Sequence, residues 1–197
     1  MKSFAALALT VLLTPGAMAQ QPASGKLHLH LDPAKTEVHF TLKDTVHTVQ
    51  GSFHLNAGEI VFDPVSGEAS GTIAVDTWTG ESGNDSRDGK MKREILEVTK
   101  FPVATFEPTQ VTGWDAGAPE KTTQKIKVSG TMTLHGASHV MTMEFAVSHD
   151  GDATVAVTHF LIPYVAWGIK DPSIALIHVE KEVSMDIAAR GTMSAAK

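Results

Sequence analysis

The chain has 197 residues, a formal net charge of −6 and no cysteine. An acidic chain without a basic run argues against nucleic acid or an anionic membrane surface as its partner. Because no disulfide can form, the hydrophobic core must stabilise the fold, which excludes a small disulfide-stapled scaffold.

Residues 1–19 have the features of a secretory signal peptide. Lys2 supplies a positive charge, residues 4–13 form a mainly apolar run, and small residues end the segment at Ala17–Ala19. This order is typical of a cleaved signal, and the run is shorter than the ~20 residues that span a bilayer. We therefore expect export and cleavage after Ala19, which leaves one domain, 20–197, of 197 − 19 = 178 residues without a membrane anchor.

From residue 26 onward, apolar and polar residues alternate with the period of two that marks strands with one buried face. Short turns between such strands imply antiparallel pairing. The first predicted strands are 27–31, 38–43, 49–55, 60–62 after a turn at Ala57–Gly58, and 71–75 after a turn at Asp63–Gly67.

The segment Asp85–Val98 breaks this pattern. Met91, Ile95 and Val98 are spaced by four and three residues, which is the period of a helix. Residues 84–86 can cap its start, and Pro102 prevents its continuation. One amphipathic helix is therefore predicted, with these three apolar residues facing the β structure.

Alternation resumes beyond the helix. A loop at 112–123 and a turn at His149–Asp152 are marked by their glycines, prolines and aspartates. The predicted strands are 103–111, 126–134, 141–147, 155–162 and 177–187. A meander of about eight to ten strands either splits into a sandwich or closes into a barrel, and periodicity does not choose between the two.

Three segments around the predicted helix are distinctive in their order and spacing. They are 85–88 with Phe101–Phe106, Gly130–Gly136 with Val140, and Phe160–Tyr164 with Trp167–Gly168; Val38–Phe40 and Gly51–Phe53 fit the same pattern. Together they resemble the YceI-like family of bacterial periplasmic lipid-binding domains, over about residues 26–190.

This resemblance implies an all-β protein: a single antiparallel, lipocalin-like barrel of about eight strands with one inserted amphipathic helix. It also implies a periplasmic, non-catalytic role in which the lumen holds an isoprenoid, a quinone or a similar long apolar lipid, without another cofactor; a homodimer is compatible with it. A long apolar chain needs only a dry lumen, because each buried CH₂ contributes about 0.8 kcal/mol. The expected lumen and mouth residues are Phe40, Phe53, Phe106, Met132, Met143, Phe145, Tyr164, Trp167 and Lys181.

Ten histidines suggest a second class of function, a metal- or haem-associated periplasmic protein serving electron transport. His28 and His30 share a strand face, and His135 and His139 flank a predicted hairpin turn at Gly136–Ala137. These histidines occupy the polar positions of the alternation, whereas metal sites require further ligands, so solvent-facing roles are favoured and no metal site is assigned.

A hydrolase is the third class considered. Ser138 next to His139 is its one suggestive cluster, and the sequence has no Gly-x-Ser-x-Gly elbow. Hairpin roles are therefore favoured for both residues, and no catalytic residue is assigned.

Two charged positions stand out. In the last predicted strand the odd positions are apolar except Lys181, so strict alternation points its side chain inward, towards a polar head group of the ligand or the rim. Arg87 and Asp88 lie in the first turn of the helix, where an aspartate complements the helix dipole and an arginine can tie the helix to the barrel rim. A structural role is favoured for this pair over one at the mouth.

Overall fold

A computed structural model describes residues 25–196, so the predicted signal peptide at 1–19 lies outside the described residues. The order of elements confirms an all-β protein with one short helical segment between the fourth and fifth strands. The strands are β1 (Leu27–Leu31), β2 (Glu37–Lys43), β3 (Thr48–Phe62), β4 (Ala69–Glu81), β5 (Val103–Thr112), β6 (Gln124–Leu134), β7 (Ala137–Asp150), β8 (Ala153–Ile162) and β9 (Val183–Ala195).

All strand pairs are antiparallel, and the sheet closes into a barrel. The strands from β2 to β9 pair in sequence order, and β9 returns to pair with β2. Strand β1 also lies between β3 and β9, beyond the end of β2 and across residues 59–62 and 191–195. Strands β1 and β2 lie end to end between β3 and β9 and together act as one strand of the barrel. The nine strands therefore form the eight-stranded barrel that was predicted.

Strand β3 differs from its prediction. Ala57 and Gly58 do not form a turn; β3 is continuous, and its register with β4 shifts between Leu55 and Ala57. Such an irregularity bends a strand without ending it. Leu31 of β1 packs closely against Gly58, because a Cβ atom at position 58 would lie 2.6 Å from Cδ1 of Leu31. A glycine therefore fits at this position.

The inserted helix is shorter than predicted. An α-helical turn, α1 (Asp85–Lys90), continues as a π-helical turn, Met91–Ile95, and the chain leaves helical geometry after Leu96. Asn84 caps α1 by accepting a hydrogen bond from Arg87 N at 3.0 Å. Neither helical turn between residues 25 and 196 is long and apolar enough to cross a membrane.

The end of the chain corrects another prediction. Strand β9 begins at Val183, so residues 177–182 lie in a loop and not in the predicted strand. Leading into them, the chain makes a tight turn, in which Ile174 N and Ile177 N each donate to the other residue's carbonyl.

The turn between β6 and β7 also differs from its prediction, because it is formed by His135–Gly136 and not by Gly136–Ala137. Both turn residues have positive φ values, 53° and 76°, as a two-residue hairpin turn of type I′ requires.

Candidate ligand-binding cavity

The barrel interior contains a cavity of about 200 Å³. One buried water needs only about 10–15 Å³ of such space, so this cavity is an order of magnitude larger than a single-water void. Its lining is apolar apart from Thr36, Thr77, Thr105 and Tyr164, and no charged side chain of residues 25–196 belongs to it. A lining of this composition suits an apolar occupant better than water.

The inward positions of the strands supply most of the lining, because side chains alternate between the two faces of each strand. Phe40 of β2 and Phe53 of β3 meet with ring centroids 5.4 Å apart and rings tilted by 43°. Phe106 of β5 lies opposite Met132 of β6. The strand-borne lining residues are Leu31, Val38, Phe40, Phe53, Leu55, Ile73, Val75, Thr77, Ala104, Thr105, Phe106, Met132, Leu134, Met143, Phe145, Phe160, Ile162, Val183, Met185, Ile187 and Ala189.

Two buried clusters share the cavity between them. One contains Leu31, Leu55, Phe106 and Met143, and the other contains Val38, Phe40, Ile162, Tyr164, Ile169 and Met185. All of these residues also line the cavity. The space therefore extends from one cluster to the other inside the barrel.

Most of the polar groups in the lining are already hydrogen-bonded within the protein. Thr77 Oγ1 donates to Phe101 O at 2.8 Å, and Thr36 Oγ1 donates to Arg190 O at 3.3 Å. Tyr164 Oη donates to Glu180 O at 2.7 Å. Burial, and then the nearby negative charge of Asp171, raises the pKa of Tyr164 to about 12, so its phenol stays neutral. These groups therefore add little polar recognition to the cavity.

The helical segment covers one side of the cavity. Met91, Ile95 and Leu96 belong to the lining, as the helical period predicted for the first two. Val98 lies beyond the helix and outside the lining, but it is only 2% exposed. The predicted apolar face therefore packs inward, although the helix ends before Val98.

Arg87 and Asp88 hold this segment to the end of β4. Asp88, 8% exposed, accepts hydrogen bonds from the backbone N and the hydroxyl of Ser82, while Arg87 Nε donates to Ser82 Oγ at 2.7 Å and Arg87 Nη2 to Ser82 O at 2.8 Å. Burial opposes ionisation of Asp88, but the Ser82 hydrogen bonds and the charge of Arg87 outweigh it and lower the pKa of Asp88. These contacts correspond to the structural role favoured for the pair.

The structure divides the residues expected at the lumen and mouth into two groups. Trp167 and Lys181 lie outside the cavity lining, and Trp167 instead stacks on His139. The remaining residues line the cavity: Phe40, Phe53, Phe106, Met132, Met143, Phe145 and Tyr164.

The inward orientation predicted for Lys181 is wrong. Residue 181 precedes β9, so strand alternation does not apply to it. Its ammonium group forms an ion pair with Asp171, and its side chain is 54% exposed. The Lys181 and Ser173 hydrogen bonds keep the pKa of the Asp171 carboxyl well below its usual range.

Some lining residues were missed by the sequence reasoning. Leu31, Ile73, Val75, Met185 and Ile187 lie on predicted apolar strand faces, so the same alternation could have marked them as lumen residues. Leu96 and Ile169 lie outside regular strands, and no local pattern in the sequence distinguishes them.

The histidines and Ser138 offer little for metal binding or hydrolysis. Among residues 25–196, no group of three His, Cys, Asp or Glu side chains could hold a metal ion. His28 and His30 both contact the Glu59 carboxylate, with His28 Nε2 2.5 Å from Oε2. Ser138 Oγ pairs with Thr133 Oγ1 at 2.9 Å, and as neighbours on β7, Ser138 and His139 point to opposite faces.

Comparison with protein families gives a match to the YceI-like domain over residues 29–190. A UPF0312 protein of Vibrio parahaemolyticus is 28% identical over 98 residues, which cover 49% of this chain and 48% of the relative. The chain therefore aligns with about half the length of such curated relatives.

Two solved structures share the fold. BcnA of Burkholderia cenocepacia superposes with a TM-score of 0.65 at 21% identity, covering 81% of this chain and 98% of BcnA. A polyisoprenoid binding domain from Saccharophagus degradans, implicated in plant cell wall breakdown, gives a TM-score of 0.66 at 18% identity, covering 84% and 98%. At these identities the likeness shows the barrel fold.

Proposed function

The chain belongs to the YceI-like domain family, and we propose that it is a non-catalytic periplasmic protein that holds an isoprenoid or a similar long apolar lipid in its barrel lumen. The apolar cavity inside the closed barrel is the observation that carries this proposal. The likeness to a polyisoprenoid binding domain supports the same ligand class.

The physical basis is the transfer of hydrocarbon from water into an apolar space. Each buried CH₂ contributes about 0.8 kcal/mol, so a chain of several isoprene units gains enough to offset the cost of ordering it. In this proposal the hydrocarbon chain of the lipid contacts residues that line the cavity: Phe40, Phe53, Phe106, Met132, Met143, Phe145 and Tyr164. The methionine side chains among them can adapt to an irregular hydrocarbon, because they are unbranched and flexible.

The first experiment is to purify the protein from the periplasm, extract it with organic solvent and analyse the extract by mass spectrometry. A co-purifying polyprenyl or quinone species is the expected result. Stoichiometric metal or a haem absorption band in the purified protein would favour the electron-transport alternative instead.

The second experiment places a bulky side chain in the lumen. Ala104 lines the cavity, so Ala104→Phe is expected to weaken binding of a fluorescent polyprenyl probe by about tenfold or more, because the added ring would occupy space that the ligand needs. Ala116→Phe, at an exposed loop position, is the matched control and should bind as the parent does. Val183→Phe, at a second lining position, replaces Ala104→Phe if that variant does not fold.

Equal binding by the parent and by the folded lumen variant would contradict a site in the barrel. Two further points are tested separately. Cell fractionation tests whether the protein is located in the periplasm. Analytical ultracentrifugation tests whether it forms the homodimer that the family resemblance allows. A single species of monomer mass would rule out that dimer.

A further inference from the structure

The exposed apolar side chains of the barrel are concentrated at one end. This end, the helix end, contains the helical segment, the β2–β3 and β6–β7 turns and the β8–β9 loop. Seven of the nine large apolar residues that are exposed between residues 25 and 196 lie there. Val46 is in the β2–β3 turn, Ile174 and Leu176 are in the β8–β9 loop, and the other four lie within three residues of the helix end of their strands: Trp78, Val103, Val140 and Leu161. Single scattered apolar residues are ordinary on a protein surface, but a concentration at one end marks an interaction surface.

Val46, Ile174 and Leu176 lie beyond the strand ends and form the rim patch. Their exposed fractions are 65%, 57% and 87%. Backbone hydrogen bonds join the two loops that carry them, because Thr45 N donates to His178 O at 3.1 Å and a bond of 2.9 Å links Glu180 N to Lys43 O. The loops therefore present the three side chains together.

Backbone groups beside the rim patch are already hydrogen-bonded. Ile174 N and Ile177 N each donate to the other residue's carbonyl, and Val46 N and His47 N both donate to Asp44 Oδ1 at 2.7 Å. A loop can enter an apolar medium at little cost only where its polar backbone groups have partners in the protein. These hydrogen bonds therefore lower the cost of burying the rim patch in such a medium.

The charged side chains beside the patch are paired within the protein. Lys181 pairs with Asp171, and Lys170 Nζ lies 3.3 Å from Glu94 Oε2. The loop segment 172–177 has no charged residue. A surface without net charge complements this arrangement, whereas an anionic surface would repel a chain whose formal net charge is −6.

The size and position of the rim patch favour a lipid surface over a protein partner. A stable protein interface takes about 20–30 residues from each side, many more than the patch offers. A bilayer surface requires no complementary shape, and exposed aliphatic side chains can enter its interfacial region. The loop that carries Ile174 and Leu176 also borders the cavity, because Ile169 and Val183 on its two sides belong to the cavity lining.

We infer that the rim patch docks the protein reversibly on the surface of a zwitterionic lipid bilayer, with Val46, Ile174 and Leu176 entering the interfacial region. This inference goes beyond the proposed function, because docking requires no ligand in the lumen. In the docked orientation the cavity-lining residues Ile169 and Val183 lie close to the membrane.

The experiment is a flotation assay of the mature protein, residues 20–197, with phosphatidylcholine vesicles. The parent is expected to float with the vesicles, and its bound fraction should rise with the lipid concentration. Burial of one aliphatic side chain changes a partition constant by about tenfold or more. The double variant Ile174→Asp/Leu176→Asp should therefore lower the partition constant by about tenfold or more. Val65→Asp is the matched control, because Val65 is 77% exposed in the β3–β4 turn at the opposite end of the barrel, and it should bind as the parent does.

Three outcomes would overturn the inference. The first is a parent that does not bind phosphatidylcholine vesicles, or a folded double variant that binds them as well as Val65→Asp does. The second is binding that requires phosphatidylglycerol and disappears at high salt, which would show attraction by charge. The third is a parent dimer in analytical ultracentrifugation that the double variant dissociates, which would assign the rim patch to a second copy of the chain. If the parent takes up a polyprenyl probe but does not bind vesicles, this inference fails and the proposed function stands.

Discussion

The titration of Tyr164 tests whether its phenol is buried at the barrel interior as the structure shows. Tyr164 is the only tyrosine in the chain, is 5% exposed, and donates from Oη to Glu180 O at 2.7 Å. Burial, followed by the negative charge of Asp171, raises the pKa of Tyr164 from 10.0 to about 12. The tyrosinate ultraviolet absorbance of the folded protein therefore reports on this one contact.

The sign of the effect follows from which form the fold prefers. The folded state favours the neutral phenol, so its contribution to stability is complete below the unfolded pKa of 10.0 and is lost as the pH rises through the folded pKa of about 12. A shift of one pKa unit corresponds to about 1.4 kcal/mol, so Tyr164 should contribute up to about 3 kcal/mol to this loss.

Two measurements check this prediction. Absorbance titration should give a tyrosine pKa near 12 in the native protein and near 10 in urea. Urea unfolding at increasing alkaline pH should show a steeper fall in the free energy of unfolding for the parent than for Tyr164→Phe, in which the lysines still titrate but the phenol does not. A native tyrosine that titrates near 10.0, or parallel curves for the two proteins, would refute the reasoning.

Three further predictions concern the helix, its attachment and export. Ile95→Asp should lower the free energy of unfolding in urea by several kcal/mol because it places a charge in an apolar lining, whereas the exposed control Arg93→Asp should change it by less than about 1 kcal/mol. Asp88→Asn should lower the free energy of unfolding at neutral pH and make it fall less steeply as the pH is lowered. The reason is that the pKa of Asp88 is lowered in the folded state, so its carboxylate stabilises the fold above the usual aspartate range. This contribution is lost as the pH falls through the folded pKa. N-terminal sequencing of periplasmic material should begin at Gln20, and an intact Met1 would contradict the predicted cleavage.

Period-two alternation predicted most of the strands because it is a local property: most inward residues are apolar whatever strand lies beside them. The same reasoning explains its failures. Ala57 and Gly58 resemble a turn in sequence but form a bend within β3, since pairing with β4 continues on both sides of them. Lys181 interrupts the apolar positions of the last predicted strand, and the strand in fact begins two residues later at Val183.

The candidate site was predictable in character but not in detail. The resemblance to the YceI-like family implied a lumen, and seven of the nine expected residues line the cavity: Phe40, Phe53, Phe106, Met132, Met143, Phe145 and Tyr164.

By itself the sequence determined the all-β class, the inserted helix and the apolar faces, because each depends on the spacing of residues that are neighbours in the chain. Only the tertiary structure decided that β9 closes the barrel against both β1 and β2, that these two share one strand position, and that the lumen retains an unfilled cavity. These features depend on contacts between segments more than a hundred residues apart. Such contacts form when the whole chain packs, and no local pattern records them.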